Sequence, residues 1–326
     1  MPGRPGQSVL AALEAEIRQL LADGASYRNV AEGLNARHGL NVSHNAVYSF
    51  VKAKSRRHRF HRSFLAGLDR DLREDLMRRL IAEWTHDSTA IEGNTLTLGE
   101  TLRVIQFGLT IHGKSLKDHE EVNGHARAID LLQQMADVPR VDRAMLFELH
   151  QAIMPRVAVD AMNPIGAWKR DFNGTTGMIE GKAVYMEYAA PDDVAFLMDR
   201  WLEPFNQLLD RAVSRGAALS AYVWSHTTLA RIHPFFDGNG RLARLLANLP
   251  LLRGGFPPLM VAAEKRLEYI QVLWDYEYGL GRLERGGEFL PESPALQTIR
   301  TFFETQWQRS LDMVEAARRR QKERRR

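Results

Sequence analysis

Apolar residues recur at three- and four-residue spacing along most of this chain, the signature of helices that bury one face. The stretch SVLAALEAEIRQLLADG (8–24) carries that spacing and stops at Gly24. SYRNVAEGLNARHG (26–39) begins on Ser26 as a cap and stops at Gly39, and a third helix, SHNAVYSFVKAKSRRHR, begins at Ser43. Three short helices with a Gly-Leu-Asn-Val turn before the third predict a helix-turn-helix module over 1–62. In that pattern Ser43, His44, Asn45, Tyr48, Ser49 and Lys52 face base edges or phosphates, and the basic run 54–59 lies along a DNA backbone. The alternative is a helical protein-docking module whose basic end is solvated.

Charge sharpens the outline. The chain has 326 residues and a net charge of +4. Residues 1–62 carry +6 and the tail AARRRQKERRR (316–326) another +6, which leaves −8 for the acidic body between them. Any polyanionic partner such as DNA is therefore expected at the ends, although a tail of this kind is more often a solvated helix end than a nucleic-acid contact. There is no apolar run of about 18 residues and no signal-peptide pattern, so the expectation is a cytoplasmic protein without membrane contact. The absence of cysteine removes disulfides, thiolate metal sites and a cysteine nucleophile, leaving oxygen and imidazole chemistry.

That chemistry concentrates in HPFFDGNGRLAR (233–244), between the helical pattern GAALSAYVWSHTTLARI (216–232) and a helix resuming at about Arg241. The turn Gly238, Asn239, Gly240 thus sits at a helix N-terminus, where free N–H groups and the helix dipole favour an anion and glycine lets a phosphate approach the backbone. Arg241 and Arg244, three apart, share one side and can grip further phosphate oxygens. Asp237 is placed to hold Mg²⁺, which takes one or two carboxylates plus substrate oxygens. His233 can take the proton of an attacking hydroxyl. The set spells nucleotidyl or phosphoryl transfer from a bound nucleotide to an alcohol. By contrast Ser88 and Glu92 in HDSTAIEGN (86–94), four apart ahead of a Gly-Asn stop, read on their own as a local hydrogen bond.

The segment 233–244 resembles the Fic domain signature, H-x-F-x-[DE]-G-N-G-R-x-x-R, with every fixed position met: His233, Phe235, Asp237, Gly238, Asn239, Gly240, Arg241 and Arg244. The resemblance covers roughly 80–285. It implies a mainly helical bundle with one β-hairpin flap, here preceded by the helix-turn-helix module, and domains at 1–62, 63–290 and 291–326. It also implies transfer of AMP from ATP, with Mg²⁺, to a Ser, Thr or Tyr hydroxyl of a target protein. His233 becomes the catalytic base, and the segment 237–244, Leu242 and Ala243 included, binds ATP. Ser88, Glu92 and Gly93 resemble an inhibitory helix, [ST]-x-x-x-E-[GN], whose carboxylate would hold Arg244 away from the γ-phosphate. MIEGKAVYMEYAAPDDV (178–194) resembles the flap, with Ala183, Val184, Tyr185 and Met186 nearest the nucleotide. EKRLEYIQVL (264–273) resembles the helix that closes over the adenine, with Tyr269 and Ile270 against the base. Relatives often carry an asparagine further along that helix, where this chain has Glu277, so base selectivity stays open. Removal of AMP by water held on Glu92, and a DNA-binding regulator that senses nucleotide without turnover, remain as alternatives; so does a homodimer.

Overall fold

The computed structural model describes residues 9–10, 13–22, 25–48, 50, 64–155 and 164–326. In the N-terminal module, α1 (Glu14–Ala22) and α2 (Tyr27–His38) are followed by a helical segment over 44–48. Ser26 caps α2 by accepting from the Asn29 N–H, and Gly39 closes it in the left-handed conformation at φ 61°. Ser43 caps the third segment through the Ala46 N–H. The module has its own small core of Ile17, Leu21, Val30, Leu34, Val47 and Phe50. Lys52 and the basic run 54–59 lie outside the described residues, as does Ser49.

The body is helical apart from one hairpin among the described residues, in agreement with the expected fold. Its elements are α3 (Arg70–Ile91), α4 (Leu98–Phe107), α5 (Leu116–Met135), α6 (Arg143–Ile153), β1 (Gly174–Ile179), β2 (Lys182–Glu187), α7 (Pro191–Arg211), α8 (Arg215–Ile232), α9 (Asn239–Leu246), α10 (Asn248–Arg253), α11 (Arg266–Leu280) and α12 (Pro294–Arg324). Helix α9 is the hub: seven of its eight residues are buried, and Leu242, Leu245 and Leu246 pack with Trp201 and Phe205 of α7, Ile232 of α8 and Leu149 of α6. A second core joins Tyr222 of α8, Tyr269 of α11 and Phe303 and Trp307 of α12. The site is therefore built on the most deeply packed helix of the molecule, which fixes its backbone. No described helix is long and apolar enough to cross a membrane.

The antiparallel strands pair from Gly174 with Glu187 to Ile179 with Lys182. The two-residue turn Glu180-Gly181 has φ 48° and 77°, the doubly left-handed turn that matches the twist of a tight hairpin.

The basic tail is a solvated helix end that also forms ion pairs with the start of α3. Helix α12 continues to Arg324 and runs beside α3, with Arg324 paired to Asp71 at 2.6 Å and Arg320 to Asp75 at 3.7 Å. Nearer the site, Arg309 bridges Glu83 and the buried Asp87, both at 2.6 Å. Part of the tail's charge is thus offset by acidic residues of α3 at the surface.

Gly124 of α5 faces α6 with no room to spare, since a Cβ there would overlap the Ala152 carbonyl. Alanine would gain about 1 kcal/mol in helix propensity but must push a backbone away, which costs about 1–3 kcal/mol in a packed core. Gly124→Ala should therefore lower the melting temperature in a calorimetric scan; an unchanged or raised value would show that α5 and α6 separate freely.

Candidate active site

The signature turn is assembled by its own side chains before any ligand enters. His233 ends α8 in the left-handed conformation, φ 51°, a strained choice for a residue other than glycine that turns the chain sharply into Pro234. Buried Asn239 then closes the loop, its Oδ1 accepting from the Phe235 N–H at 2.9 Å and its Nδ2 donating to the Phe235 carbonyl at 2.7 Å. Gly238 starts α9 at φ 78°, and no side chain caps the helix there. The first N–H groups of α9 are thus left facing the cavity, ready for an anion.

His233 is held as a neutral imidazole. Its Nδ1 lies 3.1 Å from the Ala230 carbonyl, which can only accept, so Nδ1 carries the hydrogen and Nε2 keeps its lone pair. The Tyr188 ring stacks flat on the imidazole, 3.6 Å between centroids and 2° between planes. Burial first, with the Lys169 ammonium adding to it, pushes the imidazole down to about 3, against the opposing pull of the Ala230 carbonyl and Glu92.

Arg244 lies under the turn and is 2 % exposed. Its Nη2 donates to Glu92 Oε1 at 2.7 Å and to the Ser88 carbonyl at 2.9 Å; its Nε donates to Ser88 Oγ at 3.2 Å and its Nη1 to the Tyr269 hydroxyl at 3.4 Å. Glu92 itself caps α3. Burial pushes its carboxyl up, but Arg244 first, then Arg241 and Arg266, outweigh this and hold it below the usual carboxylate range. A Cβ on Gly240 would sit 2.9 Å from Glu92 Oε1 and 3.1 Å from Arg244 Nη1. The Glu92 carboxylate therefore lies against Gly240 at the α9 N-terminus while it also holds the Arg244 guanidinium.

The other expected site residues divide. Tyr269 and Ile270 line a cavity of about 190 Å³ together with Glu92, His233, Gly240 and Arg244. Arg241 departs from expectation: it points into the body, to Glu121 Oε1 and the Ile153 carbonyl, both at 3.4 Å, so it does not share a side with Arg244. Leu242 and Ala243 are core residues, 0 % and 1 % exposed, with no side chain toward the cavity. Ala183, Val184, Tyr185 and Met186 do not line it either. Strand alternation turns Ala183 and Tyr185 outward, and the hairpin meets the cavity through Thr175 and Tyr188 at its root. Asp237 keeps its carboxylate 69 % exposed at the front of the turn. No cluster of three or more metal-ligating side chains exists among the described residues.

Several groups had no signal in the sequence. His150 of α6 donates through Nε2 to the Asp237 carbonyl at 3.0 Å while Nδ1 accepts from the Gly166 N–H at 2.9 Å, and its ring stacks on Phe235 at 3.8 Å. Asn173 donates to the Phe235 and Phe236 carbonyls, its own carbonyl accepts from Tyr188 N–H, and Lys169 Nζ donates to its Oδ1 at 2.6 Å. The hairpin root is in this way fastened to the signature turn. Arg266 donates to the Ile91 carbonyl at 2.6 Å, fixing the end of α3 beside Glu92. These contacts join residues far apart in the chain, which spacing alone does not reveal.

A model of the Fic/DOC family matches residues 140–251. The chain carries a Fic domain. Protein adenylyltransferase fic-1 of Caenorhabditis elegans is 32% identical over 199 residues, 60% of this chain and 36% of that protein. This chain thus spans about a third of the length of the curated relatives it matches. Among solved structures, a Fic domain containing signaling protein from Bacteroides thetaiotaomicron superposes with a TM-score of 0.68 at 26% identity, covering 83% of this chain and 96% of that one. A segment of Fic-1 from Caenorhabditis elegans superposes with a TM-score of 0.60 at 23% identity, covering 96% of this chain and 87% of that one, a likeness of fold.

The turn depends on Asn239, which satisfies both polar groups of Phe235. Asn239→Ala would leave the buried Phe235 N–H without a partner, at about 1–3 kcal/mol, and the Phe235 carbonyl with Asn173 alone. Thermal unfolding of that variant should move down by several degrees; a melting point equal to the native one would mean that the turn is held by other contacts.

Proposed function

We propose that the chain is a protein adenylyltransferase kept inhibited by α3. The observation that carries this reading is the Glu92 carboxylate on Arg244, above Gly240, where nucleotide phosphate would be bound. The α9 N–H groups and Arg244 would hold the ATP phosphates. His233 Nε2 would take the proton of a Ser, Thr or Tyr hydroxyl, whose oxygen bonds to the α-phosphorus as the bond to the β-phosphate oxygen breaks and pyrophosphate departs. Asp237, a single exposed carboxylate beside the phosphate turn, fits the ligand set of Mg²⁺, which takes one or two carboxylates and completes its shell with substrate oxygens. When bound, Mg²⁺ would offset charge on the leaving phosphates.

The flap supports a protein target. Among the described residues its two strands pair only with each other, so each offers an edge to which an extended segment of a target can add as a further strand and bring its hydroxyl to His233. Because His233 is already neutral, inhibition would act on phosphate position rather than on the base.

A second reading draws on Glu92 itself. Its side chain is 35% exposed, beside His233, so it could instead orient a water and remove AMP from a modified target. For the N-terminal module, His44, Asn45 and Tyr48 line a cavity of about 470 Å³ against Asp142, Met145 and Glu148 of the body. Contact of this face with DNA would require the module to swing off that acidic wall, and the docking reading needs no such movement.

With [α-³²P]ATP, Glu92→Gly should label protein well above wild type, since a charge-assisted pair of about 1.5–3 kcal/mol no longer competes for Arg244. Adding His233→Ala should silence the label while nucleotide binding persists. Flat labelling by Glu92→Gly, together with lost AMP removal from a pre-modified target, would favour the hydrolase. The absence of any label or removal would leave a non-catalytic nucleotide sensor.

A further inference from the structure

The cavity at the seam between the N-terminal module and the body, about 470 Å³, is more than twice the volume of the one that His233 lines, and nothing in the transfer chemistry uses it. Its size falls among small-molecule sites, which span about 300–1,000 Å³. Tyr27, at the start of α2, packs against both the module's core and the body's core, and its ring meets Tyr48 edge-on at 5.4 Å between centroids. Two phenol rings thus form the module's wall of the cavity. Facing them, Leu131 and Met135 of α5 and Met145 and Leu149 of α6 supply an apolar wall. The two methionines let that wall adjust to the outline of a ligand.

The polar edge of the cavity carries one sign of charge. Asp142 and Glu148 of the body line it, and no lysine or arginine does so among the described residues. Asp142 spends one oxygen on the Met145 N–H at 2.9 Å, as the cap of α6. Glu148 forms no hydrogen bond or ion pair with a described residue. The arginines that flank Asp142 in the chain are engaged elsewhere, Arg140 with Glu203 and Arg143 with Asp199. A third carboxylate acts at the same seam: burial first, then Tyr48 and Asp137, pushes the Tyr27 phenol up to about 12. An anion entering here would be repelled, whereas a cation gains both the carboxylates and the faces of the tyrosine rings.

We propose that this seam binds a small organic cation, an amine carried on a flat apolar body, with the body between the two tyrosines and the methionine wall and the ammonium at Glu148 and Asp142. Such a ligand touches the module and the body together, so its binding ties the one to the other.

Tryptamine, tryptophol and indole propionate keep one apolar body and change only its charge, and titration calorimetry of each against the full chain tests the assignment. Tryptamine should bind, tryptophol should bind at least about tenfold more weakly, and the propionate should bind weakest of the three, because only the amine answers the carboxylates. Glu148→Gln should bring tryptamine down to the level of tryptophol while leaving tryptophol unchanged. Ala144→Trp, at another lining position, should fill the cavity and abolish binding of all three. Glu148 and Ala144 are both exposed, so neither substitution disturbs a core, and an unchanged melting temperature checks this. Saturating ATP should leave the tryptamine affinity as it was, which separates this site from the His233 cavity. No binding of tryptamine at millimolar concentration, equal binding of amine and acid, or tryptamine binding that survives Ala144→Trp would overturn the assignment.

Discussion

A guanidinium buried to 2 % exposure must be answered by acceptors, and the site is arranged around how Arg244 is answered. It sits on α9, the most deeply packed helix, and cannot retreat to solvent. Ser88 gives it a hydroxyl and a carbonyl, Tyr269 a phenol, and Glu92 the one full negative charge. Tyr269 is braced in turn by buried His226 at 2.9 Å. The neutral acceptors are fixed parts of the fold, whereas Glu92 stands at the last turn of a helix and is partly exposed. It is the one acceptor that a phosphate can replace, because a phosphate supplies the same charge to the same guanidinium.

The placement of Glu92 depends on contacts well away from the cavity. Arg266 holds the Ile91 carbonyl, and Arg309 of α12 bridges Glu83 and Asp87 one turn earlier on α3. Farther back, Arg320 and Arg324 continue the same helix-to-helix ladder. The exposed pairs of that ladder contribute little each, but the Arg309 bridge ends on an Asp87 side chain only 4% exposed and fixes the turn that carries Ser88. The C-terminal helix thereby helps to hold the end of α3 that carries Glu92.

Periodicity and spacing made the helical fold and the hairpin turn legible and singled out His233 and Arg244 as cavity residues, because each rests on residues close in the chain. The pairing of Glu92 with Arg244 became readable only through the resemblance, since a Ser and a Glu four apart have an ordinary local explanation. Arg241 shows where spacing fails: three residues from Arg244 on a helix, it turns to Glu121 because α9 is buried on nearly all sides and the two guanidiniums meet different walls. The hairpin shows the same limit, for alternation identifies it but not which end of it meets the cavity. Tyr188, His150 and Lys169 are tertiary neighbours of the turn with no pattern of their own.

The central claim is that Glu92 and the terminal phosphate compete for Arg244. Crystal structures of wild type and Glu92→Gly with a non-hydrolysable ATP analogue measure this most directly. Expected is a wild-type complex in which Arg244 keeps Glu92 and the γ-phosphate lies elsewhere, and a variant complex in which the γ-phosphate sits on Arg244 with the α-phosphorus open to a hydroxyl at His233. A γ-phosphate already on Arg244 in the wild-type complex, with Glu92 still in place, would contradict it.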